Sequence, residues 1–382
     1  MIYLDNNATT KIDPRVLDEM LPYLTDQYGN ASSNHEFGAK INQQVNLSKS
    51  QIAELIGCDA EELIFTSGAT EAINLAIKGV AEYYQNRGKH IITSVTEHPA
   101  VIETCLALEK KGFEISWLTP DSDGIIEPSK LQAAIKGDTI LVSIMLVNNE
   151  TGVIQKINAL SELCRERGVI FMTDATQAVG KIPVDVNQMG IDLMSFSSHK
   201  FYGPKGIGCL YIRNKKPVRV KLFPIIHGGG QERGIRSGTL NVPGIVGFGA
   251  AAALSRKEMN DDMRRISRMR NRLEGELLKI PHTLRNGSLA FRIYNTSNIC
   301  FEGADADAIM VGMKDIAISN GSACSSTAVE PSHVLVAMGR TELQAFSSLR
   351  FSLGRFTNDE EIDQIIATVR AVVANLRELV LK

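Results

Sequence analysis

No apolar run in this 382-residue chain approaches the ~18 residues of a membrane span. The nearest, residues 244–254, is short and broken by glycines, which excludes a bilayer-spanning helix and leads to the expectation of a soluble protein. None of the six cysteines forms a CxxC pair, so a disulfide framework or a cysteine zinc site is excluded and reduced thiols are expected. HExxH is missing as well, and no metal is expected. The glycine-rich stretches GPKGIG and HGGGQERG match neither GxGxxG nor Walker spacing, so nucleotide binding has little support. Neither sign of charge predominates: 41 Lys and Arg face 43 Asp and Glu, a formal net charge of -2. Near-neutrality argues against a protein that coats nucleic acid or anionic lipid, and the basic stretches at 215–221 and 264–272 read as solvated faces. The opening MIYLDNNATT carries neither a basic leader nor a small-residue cleavage site, so the expected compartment is the cytoplasm.

What is present is a chain long enough for two domains at ~100 to 200 residues each. Apolar, β-rich runs at 63–66, 90–95, 139–147, 168–175, 192–200 and 208–213 alternate with amphipathic helical patterns at 38–55, 69–86, 99–111 and 158–167. Such alternation predicts an α/β fold with a mainly parallel sheet covered by helices on both faces. A long helix over 244–280 then leads to strands near 297–302 and 348–353 and a last helix over 359–380, the pattern of a smaller α+β domain. The expected division is a large domain over 12–257 and a small one from 1–11 and 258–382.

In open α/β sheets ligands bind beyond the carboxyl ends of strands, and four loops there carry unusual residues. TSGATEA (66–72) opens a helix with small residues, which suits a phosphate facing free backbone amides; a capping turn with Ser67 or Thr70 explains the same letters. His98 precedes Pro99 at a helix start and offers a ring for stacking and proton exchange, although a satisfied, partly buried histidine is the commoner fate. Asp174 ends an apolar strand, where a carboxylate needs a cation or strong donors; a protonated pyridine nitrogen is one such partner and a helix N-cap is the alternative. Lys200 ends another strand among Phe, Tyr and Gly, and forming an imine with an aldehyde cofactor would neutralise it; Lys205 reads as a surface turn lysine. Together a phosphate cradle, a stacking ring, an acid for a ring nitrogen and a lysine make a pyridoxal 5'-phosphate site.

The motifs LDNNATT, YGNASSNHEFG, FTSGATEAIN, EHPAV, VNNETG, TDATQAVGKIPVD, SSHKFYGPKGIG, GGGQERGIRSGT, NGSACSS and RFSLGRF occur in that order and resemble the series of NifS/IscS-type cysteine desulfurases. The resemblance implies a fold-type I, class V aminotransferase-like enzyme that binds pyridoxal 5'-phosphate and works as a homodimer. It implies Lys200 as the Schiff-base lysine, Asp174 on the pyridinium, Gln177 on the phenolic oxygen and His98 stacked on the ring. Ala69, Thr70, Ser197 and His199 would hold the phosphate, and Thr239 would reach the phosphate of the neighbouring subunit. Asn149 and Arg350 would stand on the cofactor and substrate side, a guanidinium suiting an α-carboxylate; Arg355 is the nearby rival for that task. Gln231 and Asn320 stand where the family commonly has His and Ser.

Cys324, in ISNGSACSSTAVEPSHV, is the expected nucleophile, while Cys58, Cys105, Cys164, Cys209 and Cys300 fall in helical or strand-like surroundings and read as structural. The reaction so implied removes the α-proton of L-cysteine by Lys200 and transfers the sulfur to Cys324 as a persulfide, releasing L-alanine. An ordinary thiol is mostly protonated at pH 7, and no Lys or Arg adjoins Cys324, so His98 or the bound substrate is expected to activate it. The persulfide would pass to a sulfur-acceptor protein serving iron–sulfur clusters or tRNA or DNA thiolation. Transamination or selenocysteine lysis on the same fold are the rivals.

Overall fold

A computed structural model describes residues 1–215, 219–321 and 330–380. After a two-residue strand β1 (Ile2–Tyr3), the seven strands β2 (Leu63–Thr66), β3 (His90–Ser94), β4 (Glu114–Leu118), β5 (Thr139–Ser143), β6 (Ile170–Asp174), β7 (Leu193–Ser197) and β8 (Gly208–Ile212) form one sheet. Its order is β2-β8-β7-β6-β5-β3-β4. All neighbours from β7 to β4 run parallel, while β8 is antiparallel to both β7 and β2. The carboxyl ends of β2, β3, β5, β6 and β7 therefore share one edge, where the start of β8 also lies. Gly208 is required there: a Cβ would sit 2.6 Å from the Gly68 backbone.

The central strands are buried along their whole length, which explains their unbroken apolar runs. On one face pack α3 (Ala69–Tyr84) and α4 (Pro99–Glu109), which set Ala76, Val80, Val101 and Cys105 against Ile91, Leu141 and Leu210. The other face meets α1 (Pro14–Leu24), α2 (Glu36–Ile56), α5 (Pro128–Ala134), α6 (Ile157–Glu166) and the first half of α7 (Val242–Leu277), around Phe171, Phe196 and Phe248. The second half of α7, from Ile266 onward, belongs to a separate core with Leu4, Phe301, Phe351 and Ile365. The unit around that core comprises β9 (Thr283–Asn286), β10 (Thr296–Phe301), α8 (Ala306–Gly312), β11 (Ile316–Ala317), β12 (Ser348–Ser352) and α11 (Asp359–Val380), while α9 (His333–Ala337) and α10 (Glu342–Phe346) pack in a small cluster of their own through Val334, Leu335, Met338 and Ala345. β12-β10-β9 is antiparallel, and β1 pairs with β11 in parallel, which ties the amino terminus to this smaller α+β unit.

The α/β class, the parallel sheet and the α+β remainder are as expected. Two corrections concern run lengths. The run 139–147 leaves the ladder after Ser143, because the Asn148 side chain turns the chain by accepting from the Glu150 and Thr151 amides. The run 192–200 ends at Ser197 and is followed by a 3-10 turn that carries Lys200. The basic stretch in α7 is largely a solvated face, as expected: Arg264, Arg268 and Arg272 are exposed, the last two pairing with Asp359, while buried Arg270 donates to the Ile293 and Thr296 carbonyls. Among the described residues no helix is long and apolar enough to cross a membrane, and no acidic, His or Cys cluster could hold a metal ion.

Candidate active site

The shared strand edge opens into a cleft of about 530 Å³. Ala69, Thr70, His98, Asn149, Asp174, Gln177, Ser197, His199, Lys200 and Arg350 all line it. Thr239 does not; it is exposed elsewhere on this chain. Cys324 lies outside the described residues. Lys205, expected as a surface turn lysine, is exposed yet borders the cleft.

The phosphate-side expectation meets an open helix end. The N-cap of α3 is Gly68, with no side-chain cap, so neither Ser67 nor Thr70 caps it. Ser67 N donates instead to Glu71 Oε2 at 2.7 Å, and Glu71 is drawn to Arg236 at 2.7 Å. A Cβ at Gly68 would meet nothing within 4 Å. Uncapped amides, the helix dipole and the Thr70 hydroxyl thus face the cleft, a donor set that fits a phosphate. Ser197 and His199 lie opposite; His199 Nδ1 is 3.1 Å from Thr9 Oγ1. Burial, then Lys200, Lys205 and Lys181, lowers the His199 pKa to about 4, so its ring is neutral at neutral pH.

Asp174, 6% exposed, accepts from Thr176 N at 2.9 Å through Oδ1. It caps a turn, since no α-helix follows at this point. His98 is the N-cap of α4, and its Nδ1 accepts from Ala100 N at 3.1 Å. That contact fixes the tautomer: the ring proton of neutral His98 sits on Nε2. Burial outweighs the attraction of Asp174, and Lys200 and His333 add repulsion, so His98 lies below the usual imidazole value. One histidine is thus both the cap of its helix and a neutral ring in the cleft.

Lys200 donates to the carbonyls of Asn7 at 2.6 Å and Ala8 at 2.7 Å. The turn after it is held by Tyr202, whose backbone takes a left-handed φ of 70° and donates to Thr10 Oγ1 at 2.8 Å. Arg350, 4% exposed, donates to Asn149 O at 3.0 Å and pairs with Asp5 at 2.6 Å, and its Nε has no partner among the described residues. Arg355, the rival, is engaged elsewhere by Asp13 and Asp262, with its guanidinium 4.4 Å from the Tyr202 ring. Gln231 Oε1 accepts from Gly238 N, and Asn320 donates to Asp307. The five described cysteines all have raised pKa values from burial, Cys105 to about 12.

Three residues that sequence reasoning passed over support the site: Asn7 lines the cleft, Asp5 pairs with Arg350 and Lys181 donates to Gln177. Asn7 joins the two units, with Nδ2 donating to Asn149 O at 3.1 Å and Thr296 Oγ1 at 2.9 Å. Lys181 is buried beside Gln177. The available signals were an Asn pair in LDNNATT and a lysine inside the apolar run QAVGKIPV.

The aminotransferase class-V family model matches residues 2–365. A cysteine desulfurase IscS of Klebsiella pneumoniae subsp. pneumoniae is 52% identical over 381 residues, covering 99% of this chain and 94% of the relative. A solved NifS-like protein superposes with a TM-score of 0.91 at 36% identity, covering 98% of this chain and 99% of that one. SspA, solved in complex with cysteine, gives 0.83 at 36% identity, covering 94% and 100%. The fold and cleft define a member of the class-V aminotransferase family, whose known cofactor is pyridoxal phosphate. Within that family the chain belongs to the NifS/IscS-type cysteine desulfurases.

Proposed function

We propose that this cysteine desulfurase takes sulfur from L-cysteine onto Cys324 and releases L-alanine, with the cleft at the sheet edge as its site. The observation that carries the residue-level reading is the convergence, in one cleft, of the open α3 end, Asp174, Lys200 and Arg350. Ala69, Thr70, Ser197 and His199 would hold the phosphate of pyridoxal 5'-phosphate, His98 would face its ring, Asp174 its pyridine nitrogen and Gln177 its phenolic oxygen. When bound through Lys200, that cofactor supplies an electron sink next to the substrate α-carbon.

The chain's own residues do the rest. Arg350 and Asn149 would orient the substrate, with the Arg350 guanidinium as the partner for the α-carboxylate. Lys200 Nζ, held by two carbonyls, takes the α-proton once displaced. A Cys324 thiolate forms an S–S bond to the substrate sulfur as the C–S bond breaks, and the carbon skeleton gains protons and leaves as alanine. His98, neutral and bearing its proton on Nε2, would offer that N–H as a hydrogen-bond donor in the cleft; taking a proton from Cys324 would first require Nδ1 to release Ala100 N. The raised pKa values of the five described thiols support Cys324 as the nucleophile.

The exposed position of Thr239 supports a role across a homodimer interface, completing the partner subunit's phosphate site. The change of core along α7 between Met259 and Ile266 supports a large unit over 12–257 and a small one from 1–11 and 258–382. The persulfide passes to a sulfur-acceptor protein in the cytoplasm, for iron–sulfur clusters or for tRNA or DNA thiolation. The test is Cys324→Ala: it is expected to keep bound cofactor but to stop alanine release from cysteine. Normal alanine turnover in that variant would refute the assignment.

A further inference from the structure

Lys181 follows Gln177 by one helical-length step in QAVGKIPV and is only 4% exposed. A lysine so placed must be neutralised by an acid or give up its proton. Burial dominates here, and the charges that reach the amine, those of Lys200 and Arg350, both repel, so it lies well below the ordinary lysine range. Its nitrogen donates to Gln177 Oε1 at 2.7 Å and approaches Asn7 Oδ1 at 3.5 Å.

The directions of these bonds follow from backbone carbonyls, which only accept. Gln177 Nε2 donates to Asn7 O at 2.8 Å, so Oε1 is the atom turned to Lys181. Asn7 Nδ2 donates to Asn149 O at 3.1 Å, so its Oδ1 is left to accept, from Asn295 Nδ2 at 3.3 Å and from Lys181 at 3.5 Å. The same Asn7 carbonyl receives Lys200 at 2.6 Å. One amine therefore backs the side-chain amide of Gln177, which donates to the same Asn7 carbonyl that receives the reactive lysine. Packing alone does not call for it, since a methionine of similar length would fill the space without a buried polar group.

We propose that Lys181 is a positioning residue: its buried amine orients Gln177 so that Gln177 presents its second Nε2 proton to the phenolic oxygen of bound pyridoxal phosphate. This rests on Gln177 meeting that oxygen. Loss of a donor leaves negative charge on the oxygen less stabilised, so the proton it shares is released at higher pH.

The test compares Lys181→Met, Lys181→Gln, Gln177→Ala and the double variant Gln177→Ala/Lys181→Met as purified holoenzymes. The readouts are the pH midpoint of the bound cofactor's visible band and the affinity of the stripped protein for pyridoxal phosphate. Lys181→Met is expected to move the midpoint upward, as Gln177→Ala does, and to weaken cofactor binding about fivefold, the scale of one hydrogen bond. Lys181→Gln keeps a donor and recovers part of the shift. In the Gln177→Ala background Lys181→Met adds nothing further, because the two act as one unit. An unmoved midpoint in Lys181→Met beside a moved one in Gln177→Ala overturns the proposal and leaves the role of Gln177 standing. So do additive shifts in the double variant, or a lowered melting temperature with no spectral change. No shift in Gln177→Ala overturns the role of Gln177 and the positioning role with it.

Discussion

Two regions of the molecule, the surroundings of Arg355 and those of Arg350, hold an arginine differently. Behind the cleft, Arg355 is clasped by Asp13 at 3.0 Å, Asp262 at 2.8 Å and Glu258 at 3.5 Å, while Arg15 shares Asp13 at 2.7 Å. This clasp is neutralised from within, and the Arg15 hydrogen bond leads in bringing the Asp13 pKa to about 2. At the cleft, Arg350 pairs, among the described residues, with the single carboxylate of Asp5, the end of α3 has no side-chain cap, and buried Lys181 next to Gln177 meets amides. Buried charge matched by its own counter-charges holds elements together; a guanidinium with one carboxylate, beside an uncapped helix end at a strand edge, marks where an anionic ligand belongs. The clasp stitches the start of α1, the middle of α7 and the loop after β12, and so fixes the frame around the cleft.

Conservative replacement of the two arginines is the strongest way to break this contrast. Arg350→Lys is expected to raise KM for cysteine about ten- to a hundredfold, the scale of a lost charge-assisted pair. Arg355→Lys is expected to leave KM within about twofold and to lower the unfolding free energy by about 1–3 kcal/mol in urea titrations. The reverse pattern would make Arg355 the substrate residue.

A smaller effect separates the two tasks of His98. His98→Ala and His98→Asn should both weaken cofactor binding about fivefold through lost ring contact. Only His98→Ala should also cost about 1 kcal/mol of stability, because Asn restores the N-cap. Equal stability of the two variants would remove the capping role. The mildest probe is an NMR titration of the cofactor-free protein. Both cleft histidines have depressed values, so each ring stays neutral until the pH falls below the ordinary imidazole range, His199 not charging until about pH 4. A His199 midpoint in the ordinary range would mean that its burial beside lysines is wrong.

The sheet was legible because its strands are buried on both faces and therefore read as unbroken apolar runs. β4, EISWL, escaped notice: it is an edge strand whose first residue is a charged, exposed Glu. α1 carries Pro22 inside a short amphipathic pattern, which masks its period. The four loops of the site could be found because each follows a recognisable strand and carries a residue out of keeping with its neighbours. Asp5, Asn7 and Lys181 could not be found this way, since their roles depend on partners more than 140 residues away in the chain. The choice between Arg350 and Arg355 likewise needed geometry, because five residues of sequence separate a cleft from a clasp.

Reduction of the purified protein with borohydride, followed by peptide mass analysis, bears most directly on the cleft as the site of the cofactor. The mass of reduced pyridoxal phosphate is expected on the peptide that contains Lys200 and to disappear in Lys200→Ala. An unmodified Lys200, or the cofactor mass on another lysine, would contradict the account.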